Sequence, residues 1–164
     1  MIFDVLLVID LQNGVCHSND DITNLDSLVN DVNMLIEKYR TANRPIIFVQ
    51  HNGIGIKKNS TEWQLVPELH QQATDIFVDK THANSFYHTQ LLRILDENEA
   101  QSIEICGAQT EYCVDATVKF AHGLGYQLQM KSGTTSTYNN SYMTALRTIK
   151  FFEGIWKNHY LRLY

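Results

Sequence analysis

Cysteine is scarce in this chain, and so are basic charge and long apolar runs. Its 164 residues include three cysteines, Cys16, Cys106 and Cys113. An odd number with no Cys-x-x-Cys pair argues against a disulfide framework and against a thiolate zinc site, so the thiols are expected to be reduced. No apolar stretch approaches the roughly 20 residues of a membrane-spanning helix, and the N-terminus carries Asp4 where an export signal would carry basic residues. The expected compartment is the cytoplasm, with no membrane partner. Lys and Arg total 13 against 18 Asp and Glu, giving a formal net charge of -5. The basic residues are scattered, which excludes the basic face of a nucleic-acid binder.

Apolar residues make up 44% of the sequence, enough for one core of ordinary size, so residues 1–164 are read as a single domain. Phe3 to Ile9 is an apolar run broken only by Asp4, as a strand buried on both faces requires, and it ends in Asp10. Leu25, Leu28, Val32, Leu35, Ile36 and Tyr39 mark a helix face that Asn43-Arg44-Pro45 stops. Ile46 to Val49 is a second strand. The polar stretch 50–74 reads as a long loop, of the length that serves as a lid or stays disordered. Asp75 to Asp79 is a third strand, followed by Lys80, with Leu91, Leu92 and Leu95 on a helix behind it. Ile103 and Ile105 lead through Gly107 into a helix carrying Val114, Val118, Ala121 and Leu124. Gln127 to Met130 is a fifth strand, and 132–141 a polar loop. Tyr142, Ala145, Leu146, Ile149 and Phe152 form a last helical face, and Ile155-Trp156 adds a sixth strand.

Alternating strands and helices predict a three-layer α/β/α fold around a mostly parallel five- or six-stranded sheet, in the order 3-2-1-4-5-6. Ligands of such sheets bind beyond the carboxyl ends of the strands. There the sequence places Asp10 after strand one, His51 after strand two, Lys80 after strand three and Cys113 after strand four. Cys113 falls in a first helical turn, where the helix dipole favours thiolate, and Thr110 stands where it could cap that helix. A carboxylate beside a thiol can take its proton, and a neighbouring ammonium keeps both ionised. Taken singly, each residue has a plainer explanation: Asp10 as a cap, Lys80 as a solvated strand end, Cys113 as core packing.

Three blocks carry a resemblance: Val8-Ile9-Asp10-Leu11-Gln12; Lys80-Thr-His-Ala-Asn-Ser85-Phe86; and Gly107-Ala-Gln-Thr110-Glu-Tyr-Cys113-Val114. Together they resemble the isochorismatase-like cysteine hydrolase superfamily over nearly the whole chain. The resemblance implies an Asp10, Lys80, Cys113 triad and hydrolysis of a C–N bond in a small amide-type molecule through a covalent thioester. It further implies an oxyanion hole from the backbone N–H groups of Gln109 and Cys113, and a cis peptide between Ala108 and Gln109. The relatives it names include nicotinamidases, N-carbamoylsarcosine amidases, ureidoacrylate-type amidases and isochorismate hydrolases.

The departures from that family bear on substrate. Nicotinamidases carry an Asp-x-His metal motif after the second strand, where this chain has Gln50-His51-Asn52-Gly53, so no metal and no other cofactor is expected. Isochorismate hydrolysis cleaves a vinyl ether without needing a Cys nucleophile, so Cys113 favours C–N hydrolysis; vinyl-ether hydrolysis and a non-catalytic ligand-binding or regulatory role remain the alternatives. Gln12, Trp63, Phe86 and Tyr112 are the candidate pocket residues. Cys16 and Cys106 read as inert packing. The resemblance, with the aromatic tail Phe151, Phe152, Trp156, Tyr160 and Tyr164, implies a homodimer or higher homo-oligomer.

Overall fold

The computed structural model describes residues 1–164 as a parallel sheet between two helical layers. The elements are β1 Val5–Ile9, α1 Asn13–Cys16, α2 Leu25–Thr41, β2 Ile46–His51, β3 Ile76–Lys80, α3 Leu91–Glu97 and β4 Ser102–Ala108. A π-helical turn, Thr110–Val114, leads into α4 Asp115–Gly123, and β5 Gln127–Met130, β6 Thr135–Ser136, α5 Ala145–Trp156 and β7 Arg162–Leu163 complete the chain. All strand pairings are parallel, in the order β3-β2-β1-β4-β5-β7, with β6 beside the far end of β4.

Every residue of β1 is buried because the strand is central and covered on both faces. Leu7 and Ile9 join a cluster of 19 buried residues on one side, with Ile105, Val118 and Trp156. Leu6 and Val8 join 18 buried residues on the other, under α2. α2 buries Leu28, Val29, Val32, Leu35, Ile36 and Tyr39 as one stripe, and Lys38 and Arg40 lie in its last turn, where they complement the helix dipole. Asn43, at φ +51°, and Pro45 prevent its continuation. Each fully buried Leu, Val or Ile contributes roughly 1.5–3 kcal/mol, so these two faces supply most of the driving force.

Two expectations are corrected. Ile155-Trp156 is not a strand: it ends α5, where Trp156 is fully buried and its Nε1 donates to Asp115 Oδ1 at 2.8 Å. The last strand is instead Arg162–Leu163, paired with β5. The loop after β5 contains β6, whose Thr135 pairs with Gly107. Thr134, Thr135, Ser136 and Thr137 are all buried there, because hydrogen bonds satisfy their hydroxyls.

The chain runs outward from β1 through β2 to β3, then returns to the other side of β1 as β4. The reversal between β1 and β4 is the switch point where such sheets open a crevice at their carboxyl edge.

Candidate active site

Gly107 brings β1 and β4 together at that edge. Its φ is +127°, and a Cβ there would stand 2.1 Å from the Ile9 carbonyl oxygen, so only glycine fits. One residue beyond Ile9, Asp10 takes φ +49°, and its N–H donates to the Val49 carbonyl oxygen at 3.0 Å. Asp10 is 1% exposed, as is Lys80, the last residue of β3.

The Lys80 ammonium is the hub of the site. Its Nζ lies 2.7 Å from Asp10 Oδ2, 3.1 Å from His51 Nδ1, 3.1 Å from the His82 carbonyl oxygen and 3.2 Å from Cys113 Sγ. Asp10 Oδ1 is buried with no hydrogen-bond partner. Cys113 belongs to the π-helical turn, half-buried against the β1 side of the core. The Ala108–Gln109 peptide before that turn is cis. The Gln109 side-chain oxygen accepts from Thr137 Oγ1 at 3.2 Å. Thr110 is not a helix cap: its hydroxyl donates to Thr135 across the sheet end.

The expected resting thiolate is also corrected. Burial first, and the Asp10 carboxylate second, push the Cys113 thiol up to about 12 against the opposing pull of Lys80. Burial likewise raises the Asp10 carboxyl above its ordinary range, with Lys80 opposing. The desolvation that hides the group outweighs a helix end and one cation, so the sulfur rests as a thiol. Cys16 is pushed up to about 12 by burial, and Cys106 well above its ordinary value for the same reason.

Asp10, His51 and Cys113 each offer a ligand atom, all within 4.8 Å of one another. The Lys80 ammonium stands among those atoms at 2.7–3.2 Å, so a positive charge already fills the place a metal cation would take.

The remaining candidates have distinct placements. Gln12 is fully buried and bridges: its amide donates to the carbonyl oxygens of His51 at 3.0 Å and Trp63 at 2.8 Å, and its Oε1 accepts from the His51 N–H at 2.7 Å. Trp63 is half-buried and lines a cavity of about 540 Å³ with Gln50, Leu65, Phe77 and Asp79, none of them in the triad. Phe86 sits in the core against Phe120 and Tyr126, and Tyr112 is 58% exposed. Sequence reasoning missed His51 as a Lys80 partner. It placed His51 at the same sheet edge, at the end of strand two, without pairing it with Lys80, with which it is in register.

Residues 4–155 match the family model described as the isochorismatase domain. A secreted isochorismatase effector of Verticillium dahliae is 30% identical over 119 residues, covering 70% of this chain but only 63% of that protein's length. Nicotinamidase 3 of Arabidopsis thaliana is 26% identical over 82% of this chain and 73% of its own. A crystal structure of an isochorismatase family protein superimposes with a TM-score of 0.95 at 43% identity, covering 98% of this chain and 96% of that one. N-carbamoylsarcosine amidase from Thermoplasma acidophilum shares the fold, with a TM-score of 0.85 at 18% identity over 99% and 95% of the two chains. With this fold, and with an acid, a lysine and a thiol meeting at its switch point, the chain belongs to the isochorismatase family of hydrolases.

Proposed function

We propose that this protein is a cysteine hydrolase that cleaves the C–N bond of a small amide-type substrate through a thioester. The observation carrying this reading is the contact of one buried ammonium with both a carboxylate oxygen at 2.7 Å and a thiol sulfur at 3.2 Å, at the carboxyl edge of the sheet. A binding module has no need to bury such a set. The amidase and nicotinamidase named among the similar proteins support the amide class.

In this reading the Cys113 thiol gives its proton to Asp10, whose Oδ1 is unpartnered, and the sulfur attacks the substrate carbonyl carbon. The Lys80 ammonium supports the thiolate as it forms. The carbonyl oxygen becomes an oxyanion held by the Gln109 and Cys113 N–H groups. As the tetrahedral adduct collapses, the C–N bond breaks and Asp10 returns the proton to the leaving amine. Water then attacks the thioester, gives a proton to Asp10 and displaces the sulfur, which recovers its proton. Because the thiol rests protonated, Asp10 is needed in every cycle, first as base and then as acid.

Screening small amides for ammonia or amine release, with Cys113→Ala as control, tests the reading. Hydrolysis by the wild type and none by the variant is expected. A Cys113→Ala protein that still releases the amine would overturn covalent catalysis by Cys113.

A further inference from the structure

Lys80 has more partners than it can serve. An ammonium group carries three N–H donors and no acceptor, yet four lone-pair atoms lie within 3.2 Å of its Nζ. The Asp10 carboxylate at 2.7 Å and the His82 carbonyl oxygen at 3.1 Å are the stronger acceptors. The last proton is contested between His51 Nδ1 at 3.1 Å and Cys113 Sγ at 3.2 Å. Since the ammonium cannot accept, His51 has to be neutral there, with Nδ1 bare and its proton on Nε2. Burial, and then the Lys80 charge, hold His51 below the ordinary histidine range, which agrees with that state.

The ring is also held in place. Gln12 grips the His51 backbone from both sides, accepting from its N–H at 2.7 Å and donating to its carbonyl oxygen at 3.0 Å. Gly53 leaves the ring its room, because a Cβ there would stand 3.0 Å from His51 Nε2 and 3.4 Å from Cδ2.

We propose that His51 is a positioning residue for the nucleophile: in the resting site it takes the contested Lys80 hydrogen bond, and it yields that bond to Cys113 when the sulfur becomes a thiolate. The inference rests on the reading of Cys113 as nucleophile and adds to it. A neutral thiol is a weak acceptor, so imidazole wins at rest; a thiolate is a strong one, so the N–H turns to it. No proton leaves the ammonium and no covalent bond changes. The charged and titratable groups facing this exchange are Asp10 from the end of β1, Lys80 from β3, and His82 from the loop after it.

The test compares His51→Leu, which removes the acceptor, with His51→Asn, whose Oδ1 takes the place of Nδ1. Iodoacetamide alkylation of Cys113 is followed across pH, with adducts mapped by mass spectrometry and folding checked by circular dichroism. Without its competitor the sulfur keeps the Lys80 hydrogen bond, so His51→Leu is expected to shift the profile down by about one pH unit, or about tenfold in rate at a fixed pH below the midpoint. His51→Asn is expected to stay within about twofold of wild type, less than a third of a pH unit. A His51→Leu profile that is unmoved or moved upward, or equal shifts in both variants, overturns the proposal. A second measurement needs no variant: ¹⁵N NMR of the wild type at pH 7 is expected to show His51 as the neutral Nε2–H tautomer, and an Nδ1–H or imidazolium form overturns the proposal equally. Neither readout uses a substrate, so a failure here is distinct from a failure of amide hydrolysis.

Discussion

Replacing Lys80 by Met keeps an apolar stem in place and removes the ammonium paired with Asp10. The carboxyl is then 1% exposed with no ion-pair partner. Leaving it charged costs about 3–5 kcal/mol, the usual penalty for breaking one side of a buried pair. Protonating it instead costs at most about 4 kcal/mol at pH 7, from an ordinary pKa of 3.8 and about 1.4 kcal/mol per pH unit. The cheaper route sets the loss, so Lys80→Met is expected to be about 3–4 kcal/mol less stable at pH 7. The sign of the pH dependence follows from the direction of the shift. Burial raises the folded Asp10 pKa and Lys80 opposes the rise; without Lys80 the rise grows. The folded variant then binds more proton than the unfolded chain, so its stability is greatest below 3.8 and falls as pH climbs toward the folded pKa. Between pH 5 and pH 7 the variant is expected to lose up to about 2.7 kcal/mol, equivalent to at most roughly 5–11 °C in melting temperature. The wild type, with Lys80 present, is expected to be flatter. Urea and thermal melts of both proteins at pH 5, 6 and 7 measure this, and parallel profiles for the two would refute the reasoning.

Cys113→Ala and Asp10→Asn are each expected to reduce turnover by at least about a thousandfold while leaving substrate binding, and the double variant to be scarcely worse than Cys113→Ala alone; steady-state kinetics that multiply the two losses would contradict a shared step. Residual turnover of Lys80→Met is expected to recover partly with rising pH, whereas Asp10→Asn, which has lost both base and acid, shows no such limb in a pH–rate profile. Gly107→Ala is expected to cost about 3–5 kcal/mol in urea melts, combining a left-handed φ with a clash against the Ile9 backbone; a loss under about 1 kcal/mol would mean that the β1–β4 junction yields easily. Exposed Leu146 and Phe151 on α5 motivate a homo-oligomer, and light scattering is expected to give more than one chain's mass at micromolar concentration, with a single-chain mass as the contrary result.

The sheet was legible because its strands are buried on both faces and therefore read as apolar runs closed by a polar residue, as Val5–Ile9 is by Asp10. The same rule marked Asp10, Lys80 and Cys113 as neighbours although they stand at or beyond the ends of different strands. Where strands are short or polar the rule fails. Thr135–Ser136 pairs with β4 but carries no apolar signal, since its burial rests on hydrogen bonds. Arg162–Leu163 is too short for any periodicity. Glu104, in the middle of β4, interrupts the apolar run, yet it is fully buried because Tyr39 at 2.6 Å, Gln129 at 2.7 Å and the Tyr164 hydroxyl all donate to it. Phe86, expected at the pocket, follows Ser85, which hydrogen bonds to Thr117 hold against α4, so the ring is carried into the core. The ionisation of Cys113 was read wrongly because sequence reveals its neighbours but not how completely water is excluded from them.

All three thiols of the folded chain are held above their ordinary value of 9.0, Cys16 and Cys113 at about 12 and Cys106 well above 9.0 by burial. Thiolate is the form that alkylates and oxidises, so the native protein exposes less reactive sulfur than its own unfolded chain, in which each cysteine returns to ordinary behaviour. The Cys113 sulfur also sits beside residues 33 and 103 positions away along the chain, Lys80 and Asp10, which stand at the ends of β3 and β1 with β2 between them. Nothing local assembles them. An intermediate lacking β3 therefore has neither the Lys80 ammonium nor a shielded thiol, and pulsed alkylation during refolding becomes a clock for closure of the sheet, with loss of labelling at Cys113 marking the arrival of its last strand neighbour.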